Sequence, residues 1–358
     1  MARLEFEHVG ITALAAAVPQ HVINNYEYTE FFPKEEVKDV VDKIGVFERR
    51  FSDKNTCSSD LCFAAAEKLI ADNNIDKSEI DLLVFISQTP DYRMPATSVI
   101  LQDRLGLSNS TIAFDINLGC SAFIYGLSVV YSMMQNSNLR KALILDGETR
   151  SKVYSPKDRR SAFIFGDAGV AAIIERDEKF GKSYFSLNSD GSREGLIKID
   201  AGGYRNMSSA ETVVEHVVDE FGNIRSAEHG YMHGGDVFNF VIREIPRDIK
   251  QTLEFAGKTK EDFDYYVFHQ ANNFINSYIA KKMKLEEDKI PATISKYGNT
   301  SSVSVPLTIV SELKDKLNGN RELLMSAFGV GMTWATGIVP FVDCKISDIV
   351  EVKDGKAV

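Results

Sequence analysis

The chain has 358 residues, of which 44% are hydrophobic, which is enough for one large or two ordinary domains with a substantial core. A formal net charge of −10 and the absence of long basic runs argue against nucleic acid as a partner. The cysteines are too few for a disulfide framework and form no paired C-x-x-C motif of a zinc site, so we expect a reducing, cytoplasmic setting for Cys57, Cys62, Cys120 and Cys344.

The opening stretch MARLEFEHVGITALAAAVP has acidic residues where a secretory signal would be basic, and its alternating apolar residues predict a strand. Further along, the helical stretch SSDLCFAAAEKLIADN (58–73) is followed by the short apolar runs DLLVFIS (81–87) and ALILDG (142–147). Such alternation is typical of a layered α/β protein in which strands lie between helices.

A run without any charged residue extends from Ile116 to Leu139 and has the length of a membrane span. It is interrupted by Asn117, Gln135 and several hydroxyl side chains. These polar groups favour a helix buried on all sides in a large core, and we expect no membrane partner.

A weak internal repeat is the most informative feature of the organisation. The segment EIDLLVFIS (79–87) is echoed by DFDYYVFHQ (262–270), and DINLGCSAFIYGLSVV is echoed by ISKYGNTSSVSVPLTIV. A duplicated unit predicts two similar halves related by an approximate two-fold axis, which brings equivalent positions such as Cys120 and Asn299 close together. We expect the halves to be joined by a mostly irregular, Gly-rich stretch at 177–236.

Three residues at predicted strand-to-helix switches can carry chemistry. Cys120 lies at the start of a helix, where the helix dipole and free N–H groups favour a thiolate nucleophile. His269 ends a strand, and Asn299 precedes a helix. Each also has a plain structural interpretation, namely a small core residue, a hydrogen-bonded histidine and a helix N-cap. The order Cys, His, Asn fits a papain-like hydrolase by spacing alone, but that class has no internal duplication.

Four motifs in this order resemble the type III β-ketoacyl-acyl carrier protein synthases of the thiolase fold. They are DINLGCSAF, HQAN (269–272), YGNTSS (297–302) and AFGVGMTW (327–334). The resemblance covers nearly the whole chain and implies an α/β protein of two duplicated halves that form a layered αβαβα sandwich. Residues 1–180 would carry the nucleophilic cysteine and residues 181–358 the histidine and asparagine. The family also implies a homodimer.

The resemblance implies a catalytic triad of Cys120, His269 and Asn299, with the backbone N–H groups of Cys120 and Val330 as the oxyanion hole. Phe328 matches an aromatic residue beside the triad. Further residues are expected to bind substrate, with Met94 and Phe163 shaping the acyl pocket: Arg159, Asn272, Phe274, Phe328, Met94 and Phe163. We expect no metal site, since the spacing of His229 and His233 lies in a Gly-rich loop without helical phase.

The implied activity is a decarboxylative Claisen condensation in fatty acid biosynthesis. An acyl-CoA transfers its acyl group to the cysteine, and malonyl-acyl carrier protein then supplies the two-carbon enolate. The coenzyme A thioester and the phosphopantetheine of the carrier protein serve as substrates, and no separate cofactor is expected. Lys258, Lys260, Lys281, Lys282 and Lys284 are candidates for docking an acidic carrier protein, although a solvated lysine surface fits them equally.

The chain departs from the family at three places. Its only tryptophan is Trp334, so the early tryptophan that stacks on the coenzyme A adenine in many members is missing. Phe274 replaces a residue that is often basic, and Val330 replaces a frequent glycine. These changes point away from ordinary acetyl-CoA priming and toward a larger or carrier-delivered acyl donor.

Two other functions also agree with the sequence. One is a condensing enzyme or acyltransferase of a specialised lipid or natural-product pathway. The other is a non-catalytic partner subunit, which generally lacks the nucleophile that this chain retains at Cys120.

Overall fold

The computed structural model describes residues 2–358. The strands are β1 (Ala2–Phe6), β2 (Val9–Pro19), β3 (Val22–Asn24), β4 (Glu48–Arg50), β5 (Ile80–Ile86), β6 (Ile112–Ile116), β7 (Lys141–Thr149), β8 (Asp167–Arg176), β9 (Ser183–Ser189), β10 (Ile197–Lys198), β11 (His216–Val217), β12 (Ile224–Arg225), β13 (Tyr231–Met232), β14 (Tyr265–Phe268), β15 (Asn320–Gly329), β16 (Thr333–Val342), β17 (Lys345–Ile346), β18 (Val350–Lys353) and β19 (Lys356–Ala357). The helices are α1 (Lys34–Ile44), α2 (Ser58–Asn73), α3 (Thr97–Arg104), α4 (Ala122–Met134), α5 (Gly234–Ala256), α6 (Asn273–Met283), α7 (Ile294–Tyr297) and α8 (Ser304–Leu313).

The larger of the two main sheets belongs to the first half of the chain. Its central strands lie in the order β2, β8, β7, β5, β6. In chain order these are the first, fifth, fourth, second and third strands of a unit. β5, β6 and β7 are parallel, whereas β8 is antiparallel to both of its neighbours.

The smaller sheet repeats this plan in the second half. Its strands lie in the order β9, β16, β15, β14, which are the first, fifth, fourth and second strands of the same unit. β14 and β15 are parallel, and β16 is antiparallel to both β15 and β9. Irregular chain and the short helix α7 take the place of the third strand. The shared strand order confirms the internal duplication, with β5 equivalent to β14 and α4 equivalent to α8.

The two chain ends pair with the sheet of the opposite half. β1 is antiparallel to β9 in the smaller sheet, so the first strand of the chain completes the second half. β17 and β18 are parallel to β2 in the larger sheet. The expected division at residues 180 and 181 falls between β8 and β9, but the terminal strands cross that division in both directions.

Helices fill three layers around the two sheets. α4 and α8 lie between the sheets in one large apolar cluster, which includes Phe123, Leu127, Leu307 and Ile309. α2 and α3 cover the outer face of the larger sheet, and α5 and α6 cover the outer face of the smaller one. The layers therefore alternate helix, sheet, helix, sheet, helix as expected.

α4 occupies the centre of the uncharged run and is buried along most of its length, as predicted. Within residues 2–358, the helices lack the combination of length and apolar character needed to cross a bilayer. The stretch at 177–236 is less irregular than expected, because it contains β9, a central strand of the smaller sheet. Its sequence SYFSLNS is rich in small polar side chains that are nonetheless buried, and this hides the strand in the sequence.

Candidate active site

Cys120 lies at the switch between β6, which ends at Ile116, and α4, which begins at Ala122. The N–H group of Ala122 donates to the carbonyl of Gly119, so Cys120 sits in a tight turn at the helix N-terminus. This turn packs against Gly329 at the end of β15. A Cβ on Gly329 would lie 2.7 Å from the Cβ of Cys120 and 2.8 Å from its backbone nitrogen. Glycine is therefore required for this close approach.

A buried polar network lies beside the thiol. The Ser301 hydroxyl oxygen is 3.5 Å from Cys120 Sγ and 3.0 Å from Nη2 of Arg150. Because a guanidinium only donates, Ser301 accepts from Arg150 and its own proton is free to point at the sulfur. Nε of Arg150 lies 3.5 Å from the carboxylate of Glu148, which is fully buried. A positive charge and its counter-ion thus stand close to the nucleophile.

The electrostatics of the thiol correct one expectation. Burial raises the pKa of Cys120 above its ordinary value, although the charge of Arg150 and the hydrogen bond from Ser301 oppose the shift. The loss of hydration outweighs the groups that favour the anion, so the helix N-terminus does not make the thiolate the prevailing form. The thiolate fraction is small at neutral pH and grows as the pH rises.

His269 follows the last residue of β14 and is 1% exposed. The N–H group of Gln270 donates to Ser304 Oγ, and this hydroxyl lies 2.8 Å from Nδ1 of His269. We assign the Ser304 proton to Nδ1, which leaves the proton of the neutral imidazole on Nε2. Burial, with a smaller contribution from the charge of Arg150, lowers the pKa of His269 to about 3. The ring is therefore neutral and its Nε2–H is a donor.

Asn299 is fixed by its backbone and by its amide oxygen. Its N–H donates to the carbonyl of Ile164, and its own carbonyl accepts from Gly166. The side-chain oxygen accepts from the N–H of Ser301 at 2.9 Å. The oxygen is thereby occupied, so the Nδ2 group is the part of the amide available to donate to a ligand.

These three residues meet in one cavity of about 280 Å³. Cys120, His269 and Asn299 line it together with Asn272, Phe274, Phe328 and Val330. The ring of Phe328 stands edge-on to His269 with centroids 5.2 Å apart. The remaining wall is mainly apolar, and the polar side chains that it contains besides the triad are those of Arg150, Tyr154 and Asn272.

Two residues expected to shape the acyl pocket lie outside this cavity, and the expectation for Phe163 is corrected. Phe163 is fully buried in a separate cluster with Val37 and Val41, while its neighbours Ile164 and Phe165 line the cavity. The resemblance identified the segment but not which side chains face inward. Met94 is 76% exposed and does not reach the cavity of its own chain.

Arg159 also lies outside the cavity wall. Its guanidinium makes a 2.7 Å ion pair with Glu36 of α1 and lies over the ring of Phe32. Arg159, which is expected to bind substrate, therefore already has an acidic and an aromatic neighbour.

Sequence reasoning missed Arg150, Ser301 and Ser304. Glu148 lies near the end of β7 and Arg150 directly follows that strand, and charged residues at the end of a buried strand are a signal that can be recognised in the sequence. The serines belong to a motif in which only the asparagine was singled out.

In the segment with His229 and His233, Nδ1 of His229 accepts from the N–H of Ser226. Residues 2–358 contain no group of three or more acidic, histidine or cysteine side chains arranged to hold a metal ion.

Comparison with known proteins agrees with this geometry. Residues 114–191 match the 3-oxoacyl-[acyl-carrier-protein (ACP)] synthase III family, and residues 253–341 match the family of its C-terminal part. A β-ketoacyl-[acyl-carrier-protein] synthase III of Caldanaerobacter subterraneus is 32% identical over 92% of this chain and 97% of its own length. The chain belongs to the 3-oxoacyl-[acyl-carrier-protein] synthase III family. It is therefore an acyltransferase of the β-ketoacyl synthase III type, β-ketoacyl and 3-oxoacyl being two names for one group.

Two further relatives support the assignment. A β-ketoacyl-[acyl-carrier-protein] synthase III of Clostridioides difficile is 32% identical over 92% of this chain and 97% of its own length. A crystal structure of a 3-oxoacyl-(acyl-carrier protein) synthase of Burkholderia xenovorans superposes with a TM-score of 0.92 and 36% identity. That superposition covers 98% of this chain and 99% of the other. The thiolase-like fold expected from the sequence is confirmed.

Proposed function

We propose that this chain is a β-ketoacyl-acyl carrier protein synthase III that condenses an acyl group held on Cys120 with malonyl-acyl carrier protein in fatty acid biosynthesis. The observation that carries the proposal is the convergence of a thiol, a neutral imidazole and a carboxamide on one largely apolar cavity in a member of this family. Cys120 supplies the nucleophile, while His269 and Asn299 supply two hydrogen-bond donors.

The first half-reaction transfers the acyl group. Cys120 Sγ attacks the thioester carbonyl of an acyl-CoA, and the N–H groups of Cys120 and Val330 receive the developing oxyanion. When the intermediate collapses, the bond from the acyl carbon to the coenzyme A sulfur breaks. The proton lost by the Cys120 thiol ends on the departing coenzyme A thiol. The raised pKa of Cys120 means that proton removal is part of this step and precedes or accompanies the attack.

The second half-reaction forms the carbon–carbon bond. Nε2–H of His269 and Nδ2–H of Asn299 donate to the thioester carbonyl of malonyl-acyl carrier protein and stabilise the enolate left when carbon dioxide departs. The enolate carbon attacks the acyl-cysteine, the bond to Sγ breaks, and the sulfur takes up a proton from solvent. Each such donor is typically worth about 3 kcal/mol in the transition state. Two neutral donors suit this task because a nearby carboxylate would oppose the negative charge of the enolate.

Carrier protein and a second subunit are the proposed partners. α6 begins at the mouth of the cavity and carries exposed Lys281 and Lys282, with Lys284 at its end, and these favour docking of an acidic carrier protein. Lys258 and Lys260 contribute less, because each lies near a glutamate.

A homodimer is supported by β6, which is the last strand of the larger sheet and leaves Ile112 44% exposed. The four free cysteines agree with a cytoplasmic setting.

A second candidate keeps Cys120 but changes the pathway. Arg159 is engaged by Glu36, and exposed Phe274 stands at the cavity where a basic residue is frequent in the family. Both features favour a larger or carrier-delivered donor. The candidate is a condensing enzyme or acyltransferase of a specialised lipid or natural-product pathway.

The test measures each half-reaction by intact mass. The protein is incubated with a panel of acyl-CoAs and acyl-carrier proteins and is then given malonyl-acyl carrier protein. We expect a single acyl adduct on the wild type and on Cys344→Ala, a matched buried cysteine, and none on Cys120→Ala. Failure of every donor to form an adduct refutes the proposal. An adduct that malonyl-acyl carrier protein does not convert into a β-ketoacyl product supports the second candidate.

A further inference from the structure

A second cavity adjoins the one that contains the triad. This polar cleft has a volume of about 390 Å³ and is lined by six polar or charged residues and four others: Gln88, Asn117, Arg150, Tyr154, Glu194 and Lys198, with Ile197, Ile199, Val330 and Gly331. Arg150, Tyr154 and Val330 also line the triad cavity, so the two spaces share a wall beside the thiol. The triad cavity has a mainly apolar wall, whereas most side chains of the cleft are polar or charged.

Several hydrogen-bonding groups of the cleft lack a partner. Nη2 of Arg150 donates to Gln88 Oε1 at 2.7 Å and to Ser301, but within residues 2–358 no hydrogen bond is made by its Nη1 or Nε. Nε2 of Gln88 and the hydroxyl of Tyr154 also make no hydrogen bond in the described part of the chain, although both residues are only half-buried, and Asn117 is exposed to solvent. Arg150 is only 4% exposed. Polar groups buried to this degree normally have partners, so Arg150 is expected to donate to an acceptor from outside the chain, which is either an ordered water or a ligand oxygen.

The available groups are mostly donors, because the carboxylate that lines the cleft, Glu194, is paired with Lys198 at 2.9 Å. Burial raises the pKa of Tyr154 to about 12, so its hydroxyl keeps its proton. Gln88 Oε1 is occupied by Arg150, which leaves its Nε2 as the free part of the amide. Arg150 has no acceptor atom at all. A ligand that satisfies these groups must present oxygen atoms.

The charge of Arg150 does not by itself demand an anion. Both carboxylate oxygens of Glu148 accept hydrogen bonds, from the N–H of Gln88 and the hydroxyl of Thr89, and the carboxylate lies 3.5 Å from Arg150 Nε. The pair is therefore balanced in charge but incomplete in hydrogen bonds. Hydroxyl, keto and carboxylate oxygens all fit such a site.

The distance between Cys120 Sγ and the guanidinium of Arg150 sets the position of the ligand oxygen along an acyl chain. Ser301 Oγ is 3.5 Å from Cys120 Sγ and 3.0 Å from Arg150 Nη2, so the guanidinium is about two hydrogen bonds away from the sulfur. An acyl chain of about four carbons on Sγ spans this distance. Cys120 lines the triad cavity, and Arg150 and Tyr154 line both spaces, so an acyl chain on Sγ meets the guanidinium at the wall that the two spaces share.

We infer that the polar cleft selects an acyl group that carries an oxygen function on its third or fourth carbon, bound by Arg150 with Gln88 and Tyr154. The inference rests on the proposed function, because it requires that Cys120 hold an acyl group. A plain alkyl chain in the cleft would leave these donors unpaired, and sites built to hydrogen-bond a substrate oxygen reject the analogue that lacks it.

The test compares three four-carbon donors that differ only in oxygen content: butyryl-CoA, 3-hydroxybutyryl-CoA and succinyl-CoA. The initial rate of adduct formation on the wild-type protein is followed by intact mass. We expect at least one oxygenated donor to load about 100-fold faster than butyryl-CoA. A faster 3-hydroxybutyryl group identifies a neutral oxygen as the preferred ligand, and a faster succinyl group identifies a carboxylate.

The selectivity ratio is then measured in variants. Arg150→Met and Gln88→Leu should each bring the oxygenated and plain donors to within about tenfold of one another, while Arg176→Met, an exposed arginine outside both cavities, should keep the wild-type ratio. A general effect of Arg150 on the thiol would slow all donors equally and leave the ratio unchanged, which overturns the inference. Butyryl-CoA loading as fast as both oxygenated donors also overturns it, yet leaves the proposed function standing. If none of the three donors forms an adduct, the inference is also wrong. The proposed function is then decided by the larger panel of acyl-CoAs and acyl-carrier proteins described above.

Discussion

Ser301 places its hydroxyl oxygen 3.5 Å from the sulfur of Cys120. Because Arg150 donates to the same oxygen, the hydroxyl proton is directed at the sulfur, where it stabilises a thiolate more than a thiol. Ser301 has a positive φ of 58°, a conformation that a residue with a side chain adopts at a cost. This unfavourable backbone conformation therefore lies at a residue that contacts the nucleophile.

Replacing Ser301 with alanine should therefore raise the pKa of Cys120 further. A hydrogen bond to an ionised group is worth enough to shift a pKa by about one unit, so alkylation by iodoacetamide at pH 7 should slow about tenfold. The measurement is the pH profile of that alkylation. Ser302→Ala is the matched control, because Ser302 is equally buried but donates to Asp146. An unchanged profile in Ser301→Ala would show that the hydroxyl does not act on the sulfur.

Gly329→Ala should disable acylation. Its new methyl carbon would stand 3.0 Å from Cys120 Sγ and closer still to the backbone of that turn. Overpacking of this kind costs about 1–3 kcal/mol, and a displaced nucleophile loses about 100-fold in rate. Gly181→Ala, whose Cβ meets no described atom within 4 Å, should behave as the wild type. Thermal unfolding and adduct formation are measured together, and normal acylation by Gly329→Ala would contradict the packing argument.

Ser304→Ala should separate the two half-reactions. Without the hydroxyl at 2.8 Å from Nδ1, His269 loses the donor that holds its own proton on Nε2. We expect condensation with malonyl-acyl carrier protein to fall by about tenfold or more, while acyl transfer to Cys120 continues at its normal rate. Single-turnover assays of each step provide the check. Equal loss in both steps would mean that Ser304 supports the fold and not the tautomer.

The buried His269 should make the protein sensitive to acid. Its pKa is about 3 in the folded chain and near 6.5 when unfolded, so between these values only the unfolded state gains a proton. The contribution of neutral His269 to the free energy of unfolding is fully present above pH 6.5 and is lost as the pH falls from 6.5 toward 3. Between pH 7 and pH 5, the free energy of unfolding of His269→Gln should fall by about 2 kcal/mol less than that of the wild type. Urea unfolding at each pH measures both values. Parallel stability curves for the two proteins would refute the assignment.

Charge reversal on α6 should weaken carrier docking alone. Lys281→Glu with Lys284→Glu is expected to raise KM for malonyl-acyl carrier protein by about tenfold at low salt, without affecting loading from acyl-CoA. Lys353→Glu with Lys356→Glu alters exposed lysines on strands at the far end of the larger sheet and serves as the control. If both double variants change KM alike, net charge and not a docking surface is responsible.

The sequence predicts well whatever depends on order and periodicity. The repeat places Cys120 and Asn299 at equivalent switches, and the structure brings both together with His269. It cannot predict which way a side chain faces within a short irregular segment, so Phe163 was expected where Ile164 and Phe165 lie. Nor can it balance opposing contributions to a pKa.

Pairings between distant segments are equally hidden. Arg150 gains its significance from burial beside Glu148 and from contact with Ser301, which is about 150 residues away in the chain. Nothing in a linear pattern indicates that a charged residue at a strand end will stand next to a nucleophile.

The crossing of the terminal strands has a consequence for biosynthesis. Val352 of β18 pairs with Pro19 of β2, so an early strand acquires this neighbour only after Val352, more than 300 residues further along, has left the ribosome. Ala2 of β1 likewise waits for Leu187 of β9. Contacts between such distant segments slow folding, and a nascent first half would expose unpaired strand edges while synthesis continues. The site that holds Cys120 also contains Asn299 and Val330, so it is completed only after the second half has been synthesised.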